Sequence, residues 1–267
     1  MERGAIVESE RSLAPAVTRA AAILDVLAEQ RGQAVGLAEL ARRLGAAKSS
    51  VSNICNALVD SGLLRRTPEG FGLGRRLVGY AEAYLAGVDI VREFQDVCRS
   101  RGASVDETVQ LAVLSEAGLE VVYLARRDGR RPVVLASQIG RPLPATTTAT
   151  GKAMLAELSA PELAARLEGA APLPRLTQRS ITDAGELRRD LAAVRDRGYA
   201  LDEGETVEGL LCLAATVPGT ASRGQAAAVS FTGLAAGFSA RRQEERAAEL
   251  RALARELGAR MGAPDAG

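Results

Sequence analysis

The 267-residue chain contains no histidine. That absence removes serine-histidine and cysteine-histidine nucleophile systems, histidine metal sites and the commonest general base, so an enzymatic reading starts at a disadvantage. Cysteine is scarce as well. Cys55, Cys98 and Cys212 are odd in number, far apart and form no CxxC pair, which argues against a disulfide framework or a zinc site and for the reducing cytoplasm. No segment approaches the roughly 18 consecutive apolar residues of a membrane span. The first residues are acidic and lack the apolar run of a secretory leader. Two glycine motifs fail on inspection. Gly151-Lys152 is followed by Ala153 where a phosphate loop needs Ser or Thr, and Thr146 stands at its first glycine position. Gly70, Gly72 and Gly74 do not complete a dinucleotide fingerprint, because Leu77 takes the third glycine position counted from Gly72. No cofactor, metal or catalytic residue is expected.

What the chain does contain is a pair of short amphipathic helices over residues 37 to 64. Leu37, Leu40, Ala41 and Leu44 recur at helical spacing and Gly45 follows as a stop. Val51, Ile54, Cys55, Leu58 and Val59 make a second apolar stripe, whose far side carries Lys48, Ser49, Ser50, Ser52, Asn53 and Asn56. A face of small donors and acceptors suits a helix that enters a DNA major groove, although a solvated helical hairpin has the same pattern. The next stretch, LLRRTPEGFGLG, reads as a two-stranded hairpin turning at Pro68-Glu69-Gly70. Helix-turn-helix followed by hairpin is a winged helix, with Arg65 and Arg66 placed to neutralise phosphates. From Arg11 to Tyr80 ten basic residues face five acidic ones, a local +5 in a chain whose net charge is +1. A modest basic module on a neutral body suits sequence-selective DNA binding better than a uniformly basic surface does.

The length prior favours two domains. Residues 1–12 are polar and expected to be disordered; 13–74 form the winged helix-turn-helix domain, beginning with a helix over 15–30 that turns Val17, Ala20, Ile23, Leu24, Leu27 and Ala28 inward. Residues 75–88 form a linker helix with Leu77, Tyr80, Ala81, Tyr84 and Leu85 on one face, a candidate dimer contact; 89–262 form the second domain. There a helix through Val91, Phe94, Val97 and Cys98 leads into TVQLAVLS and LEVVYLA as a hairpin, with PVVLAS as a further strand. Thr148 caps a helix to about Leu158, Ser159 and Glu162 form a capping box, a helix over 186–197 stops at Gly198, and LLCLAATV, AAAVSFTG and a final helix through Leu250 and Leu257 close the chain. At least five strands with interspersed helices indicate an α+β domain, an antiparallel sheet with helices packed on it.

From about Ser12 to Gly262 the chain resembles the IclR family of bacterial transcriptional regulators. The stretches that carry the likeness are ELARRLGAAKSSVSNICNALVDSGLLRR, GRPLPATTTATGKAMLAELS and RDRGYALDEGETVEGLLCLAATV. The resemblance implies an N-terminal winged helix-turn-helix, a linker helix, a GAF-like effector-binding domain, and palindromic operators bound by dimers or dimers of dimers. It also implies an effector pocket formed by the backbone of Ala149 and Thr150, by Asp202 after Gly-Tyr, by Cys212, by Ser230 and Thr232 of the last strand, and by an apolar wall of Leu135, Ile139 and Leu143. The chain departs from the family at Thr146, where histidine is frequent, at Ala46-Ala47 in place of Leu-Pro, and at Asn53 in place of arginine.

The expected function is a ligand-responsive, DNA-binding regulator, a repressor by default, acting as a homodimer or tetramer on double-stranded operator DNA without membrane association. Thr146, Thr147 and Thr148 precede a helix N-terminus, where hydroxyls and free amides suit a carboxylate, so a small organic acid is the expected effector. The rivals are a small-molecule enzyme using Asp202 and Cys212, and a winged-helix module that binds a protein partner.

Overall fold

The computed structural model describes residues 13–30, 32–86, 89–101, 106–115, 118–130, 137–168, 170 and 172–263. The chain divides into two compact units, residues 1–87 and 88–267. The first holds α1 (Pro15–Glu29), α2 (Leu37–Leu44), α3 (Lys48–Asp60), the hairpin β1 (Leu64–Thr67) and β2 (Gly70–Leu73), and α4 (Arg76–Ala86). Pro15 starts α1 at a position where a missing amide costs nothing. Gly45 adopts the left-handed conformation, φ 59°, that turns the chain from α2 into α3. The core of this unit is Ile23, Leu27, Leu40, Val51, Cys55, Leu58, Leu64 and Phe71, with Val35 bridging to Phe71 as a third short strand position. Only part of the apolar stripe foreseen on α1 turns inward. Val17 is 69 % exposed and Ala28 is exposed too, while Ile23 and Leu27 carry the buried stripe that packs against α2 and α3.

In the second unit α5 (Asp89–Ser100) precedes a six-stranded antiparallel sheet of β3 (Thr108–Leu114), β4 (Glu120–Arg127), β5 (Pro142–Pro144), β6 (Ala200–Asp202), β7 (Leu210–Thr216) and β8 (Ala227–Leu234), ordered β5-β4-β3-β8-β7-β6. Between β5 and β6 lie α6 (Ala149–Ala156), α7 (Ala160–Leu167) and α8 (Ala184–Arg197); α9 (Ala240–Arg260) follows β8. The strands β5 and β6 are three residues each and were not foreseen, and the strand foreseen at PVVLAS, residues 132–137, lies outside the described residues except for Ser137.

One sheet face carries Val109, Leu111, Val229, Phe231 and Leu213 against α5 and α9, whose Phe94, Val97, Leu250, Leu253 and Leu257 are buried. Burial of each such side chain contributes about 1.5–3 kcal/mol. The other face is built in rows, because register partners lie side by side on one face of a pleated sheet. Ala112 pairs with Ala228, and Ala200 with Ala214, all fully buried. Those small side chains let α6 lie close on the sheet with Ala149 and Ala153, while α7 and α8 complete the layer with Leu163, Leu187 and Leu191. Beyond the start of α6 the rows turn polar. Thr108, Thr232, Cys212 and Asp202 form one, and Gln110 beside Ser230 begins the next.

Candidate functional site

The first candidate site is the outer face of α3. The N-cap Ala47 offers no side-chain bond, so the amides of the first turn are open to an anion. Lys48, Ser49 and Asn53 are exposed, and Ser50, Ser52 and Asn56 are half-buried. The two arginines of the wing are exposed but do not form one patch, since adjacent strand residues point to opposite faces. Arg65 lies over Gly72 and reaches the Gly32 carbonyl at 3.5 Å. Arg66 instead donates to Asn56 Oδ1 at 2.7 Å and stands over the Phe71 ring, 5.1 Å from its centre. The fold therefore couples the wing to the recognition helix through one side-chain pair, which the sequence placed only in separate roles.

The second candidate site is a cavity of about 20 Å³ at the polar end of the sheet face. Its walls include Leu143, Ala149, Thr150, Asp202, Cys212, Ser230 and Thr232, so seven of the ten effector residues named from the sequence come together. Leu135 lies outside the described residues. Ile139 is 57 % exposed: its bridge to Tyr123 holds the backbone and leaves the side chain outward. Thr148 is buried but committed to the helix, its hydroxyl accepting from the Gly151 amide at 3.2 Å and donating to the Pro144 carbonyl at 3.2 Å. Thr147 likewise donates to the Pro144 carbonyl, at 3.3 Å. Two of the three threonine hydroxyls thus fold the loop 145–148 under α6, and the third, on Thr146, is buried without a hydrogen-bond partner among the described residues. Gly151 permits this, since a Cβ there would stand 2.2 Å from the Ala145 carbonyl oxygen.

Sequence reasoning missed Gln110, Tyr123, Ser137, Thr206, Val207 and Leu210, which also line the cavity. Gln110 was detectable as the polar member of an alternating strand, sharing a face with Thr108. Its amide donates to Ser137 Oγ at 2.9 Å, and the Tyr123 and Thr150 hydroxyls are 3.0 Å apart. Thr206 lies in the loop between β6 and β7 and donates to the Thr147 carbonyl at 2.9 Å, tying that loop to the start of α6.

Asp202 is 3 % exposed and accepts the Glu205 and Thr206 amides on Oδ1 at 2.6 and 3.2 Å. Burial pushes its carboxyl above the usual range, against the opposing pull of these amides and the Lys152 charge. Lys152 cannot serve a ligand directly. It is 2 % exposed and its ammonium lies 2.5 Å from Glu205 Oε1 and 2.9 Å from Asp190 Oδ2. Burial raises the Glu205 carboxyl despite that partner. Cys212 Sγ accepts from Thr232 at 3.2 Å, and burial with the nearby Asp202 charge drives its thiol far upward, so no thiolate is available. Ser230 Oγ is buried with no hydrogen-bond partner among the described residues. The cavity is thus lined by the first residues of α6, by the Asp202 carboxyl and by a Ser230 hydroxyl without a partner among the described residues. No group of three or more His, Cys, Asp or Glu among the described residues is arranged to hold a metal ion, and no described helix is long and apolar enough to cross a membrane.

Comparisons with known proteins cover residues of both units. The family model described as bacterial transcriptional regulator IclR C-terminal matches residues 82–259, and the IclR helix-turn-helix domain matches residues 16–68. The HTH-type transcriptional regulator KdgR of Escherichia coli is 32 % identical over 248 residues, covering 91 % of each chain. Among solved structures, the repressor BlcR of Agobacterium tumefaciens is 32 % identical with a TM-score of 0.60, over 95 % of this chain and 99 % of that one. An IclR homolog of Microbacterium hydrocarbonoxydans in complex with 4-hydroxybenzoate has the same fold, with a TM-score of 0.75 at 24 % identity over 91 % of this chain and 98 % of that one.

Proposed function

The chain belongs to the IclR family of bacterial transcriptional regulators, DNA-binding proteins with an effector-binding C-terminal domain and not enzymes, and from that premise we propose that it is a repressor released or recruited by a small hydroxylated carboxylic acid. The observation that carries the effector reading is the polarity of the cavity. Ala149 and Thr150 at the start of α6 line it together with Asp202, so a carboxylate meets the helix end that favours anions while a hydroxyl on the same molecule donates to Asp202. Cys212, Leu143, Val207 and Leu210 supply the apolar wall.

The size of the cavity adds the means of response. About 20 Å³ holds about one water molecule, so an organic acid enters only as a wall moves outward. A ligand that fits the expanded state alone shifts the population toward it. The α4 helix, last in the first unit and adjacent in sequence to the second, is the transmitter in this reading, and a homodimer presents two α3 helices to the half-sites of a palindromic operator.

A thermal-shift screen of small carboxylic acids, hydroxy acids and matched neutral alcohols and amides tests the effector class, because a ligand specific to the native state raises the melting temperature by mass action. The acids, 4-hydroxybenzoate among them, are expected to stabilise and their neutral analogues are not. Stabilisation by neutral apolar compounds alone would overturn the effector reading.

A further inference from the structure

We infer that Asn56 and Arg66 act on DNA as one all-donor unit that selects guanine, and not as a base-reading amide beside an independent phosphate clamp. The inference rests on α3 being the recognition helix.

Arginine has only donors, so the Asn56 atom that faces it at 2.7 Å is the carbonyl oxygen Oδ1. The amide nitrogen is thereby turned the other way, and the free edge of Asn56 presents two N–H groups. Arg66 is not at liberty to release the oxygen cheaply. Its guanidinium also stacks over Phe71, whose buried ring is part of the core of the unit, and its backbone is fixed by the β1–β2 ladder.

The major-groove code turns this orientation into a base preference. An asparagine reads adenine by accepting from N6 with its oxygen while donating to N7 with its nitrogen. Here the oxygen is engaged and a positive guanidinium stands beside it, so the N6 amino group of adenine meets a donor and a like-signed partial charge. Cytosine presents a donor and is disfavoured for the same reason. Guanine presents two acceptors, N7 and O6, and matches the Asn56 amide together with the remaining N–H groups of Arg66. Thymine, with one acceptor, ranks between.

The test is selection of full-length protein on random double-stranded DNA, with sequencing of the bound fraction for the wild type, Asn56→Ala and Arg66→Ala. Both side chains are solvent-accessible, and thermal melts confirm that the variants fold. The wild type should select guanine at one base pair per half-site, by roughly tenfold over adenine. Asn56→Ala should relax that position alone. Arg66→Ala should free Oδ1 and move the preference there from guanine toward adenine. Replacing the selected guanine by 7-deazaguanine should weaken the wild type several-fold and leave Asn56→Ala unchanged. Adenine at the position that Asn56→Ala relaxes, no relaxed position at all, or an unaltered preference in Arg66→Ala would overturn the inference while leaving DNA binding intact. A wild type that enriches no sequence would overturn the recognition-helix reading itself and the inference with it.

Discussion

Asp202 and Cys212 are register partners across β6 and β7, so a carboxyl and a thiol stand side by side on the cavity face of the sheet. Asp202 is buried and Cys212 partly so, and the desolvation of the thiol together with the Asp202 charge makes its ionisation harder. The carboxyl is the group with consequences for the pH dependence of stability. Its native-state pKa is raised, so between its ordinary value near 4 and that raised value the folded chain holds more protons than the unfolded one. Stability contributed by the protonated form is present at low pH and is lost as pH rises through this window. Glu205 acts in the same direction. Asp202→Asn keeps an oxygen for the Glu205 and Thr206 amides and removes the charge. Its melting temperature should therefore exceed that of the wild type by a margin that widens from pH 4 to pH 7, at roughly 2–4 °C per kcal/mol. A margin that stays constant across that range would show that burial of the carboxylate is not the cause.

Ser230, which lines the same cavity, and Thr148, which does not, separate a ligand contact from a structural one. Ser230→Ala removes a hydroxyl that has no hydrogen bond among the described residues, so stability should be unchanged or slightly higher. Affinity for the most stabilising acid of the thermal-shift screen should fall about threefold to tenfold by titration calorimetry. Thr148→Val removes the cap of α6 and should cost about 1 kcal/mol of stability, read by urea unfolding. Acid affinity lost with Thr148→Val and kept with Ser230→Ala would reverse these assignments.

On the DNA side, Arg65 and Asn53 should behave differently. Arg65→Ala removes a charge on the wing face opposite Asn56 and should weaken binding to all sequences alike, flattening the salt dependence by about one unit in log–log slope. Asn53→Ala removes an exposed amide from the middle of α3 and should change the ranking of operator variants by about 1–3 kcal/mol at the affected positions. Competition binding across a set of single-base operator variants at two salt concentrations distinguishes the two outcomes.

Assembly is the fourth expectation. Tyr80 and Tyr84 are 50 % and 51 % exposed on α4, and Val78 is exposed beside them. Large aromatic side chains in the open mark surfaces suited to a partner. A homodimer by light scattering is expected at micromolar concentration, with the double substitution Tyr80→Ser, Tyr84→Ser raising its dissociation constant at least tenfold. An unaltered dimer in that variant would place the contact elsewhere.

Long periodic segments were legible before the structure, and α1, α3, α5 and α9 emerge where their apolar spacing put them because such stripes have few places to go. The unforeseen elements are short. Three residues at Ala200–Asp202 carry no period, and their strand character comes from pairing with Leu213 and its neighbours, a tertiary cause. Asp202 and Cys212, which line the cavity, were singled out from the sequence, whereas Tyr123 was hidden in the run LEVVYLA, where an aromatic looks like any core residue. Thr148 shows the opposite error: one residue type serves both as cap and as ligand donor, and only the 3.2 Å bond to the Gly151 amide distinguishes them. The pairing of Asn56 with Arg66 spans ten positions and two element types, a distance at which local pattern carries no information.

The chain has only two lysines among its 34 basic residues. Lys152 is sealed between Glu205 and Asp190, while Lys48 is exposed on the first turn of α3. Reagents that acylate ε-amines therefore have a single open target along the side chains of the folded protein. Protection of that amine by bound DNA, followed by mass spectrometry, converts covalent labelling into a footprint of the recognition helix without any engineered residue.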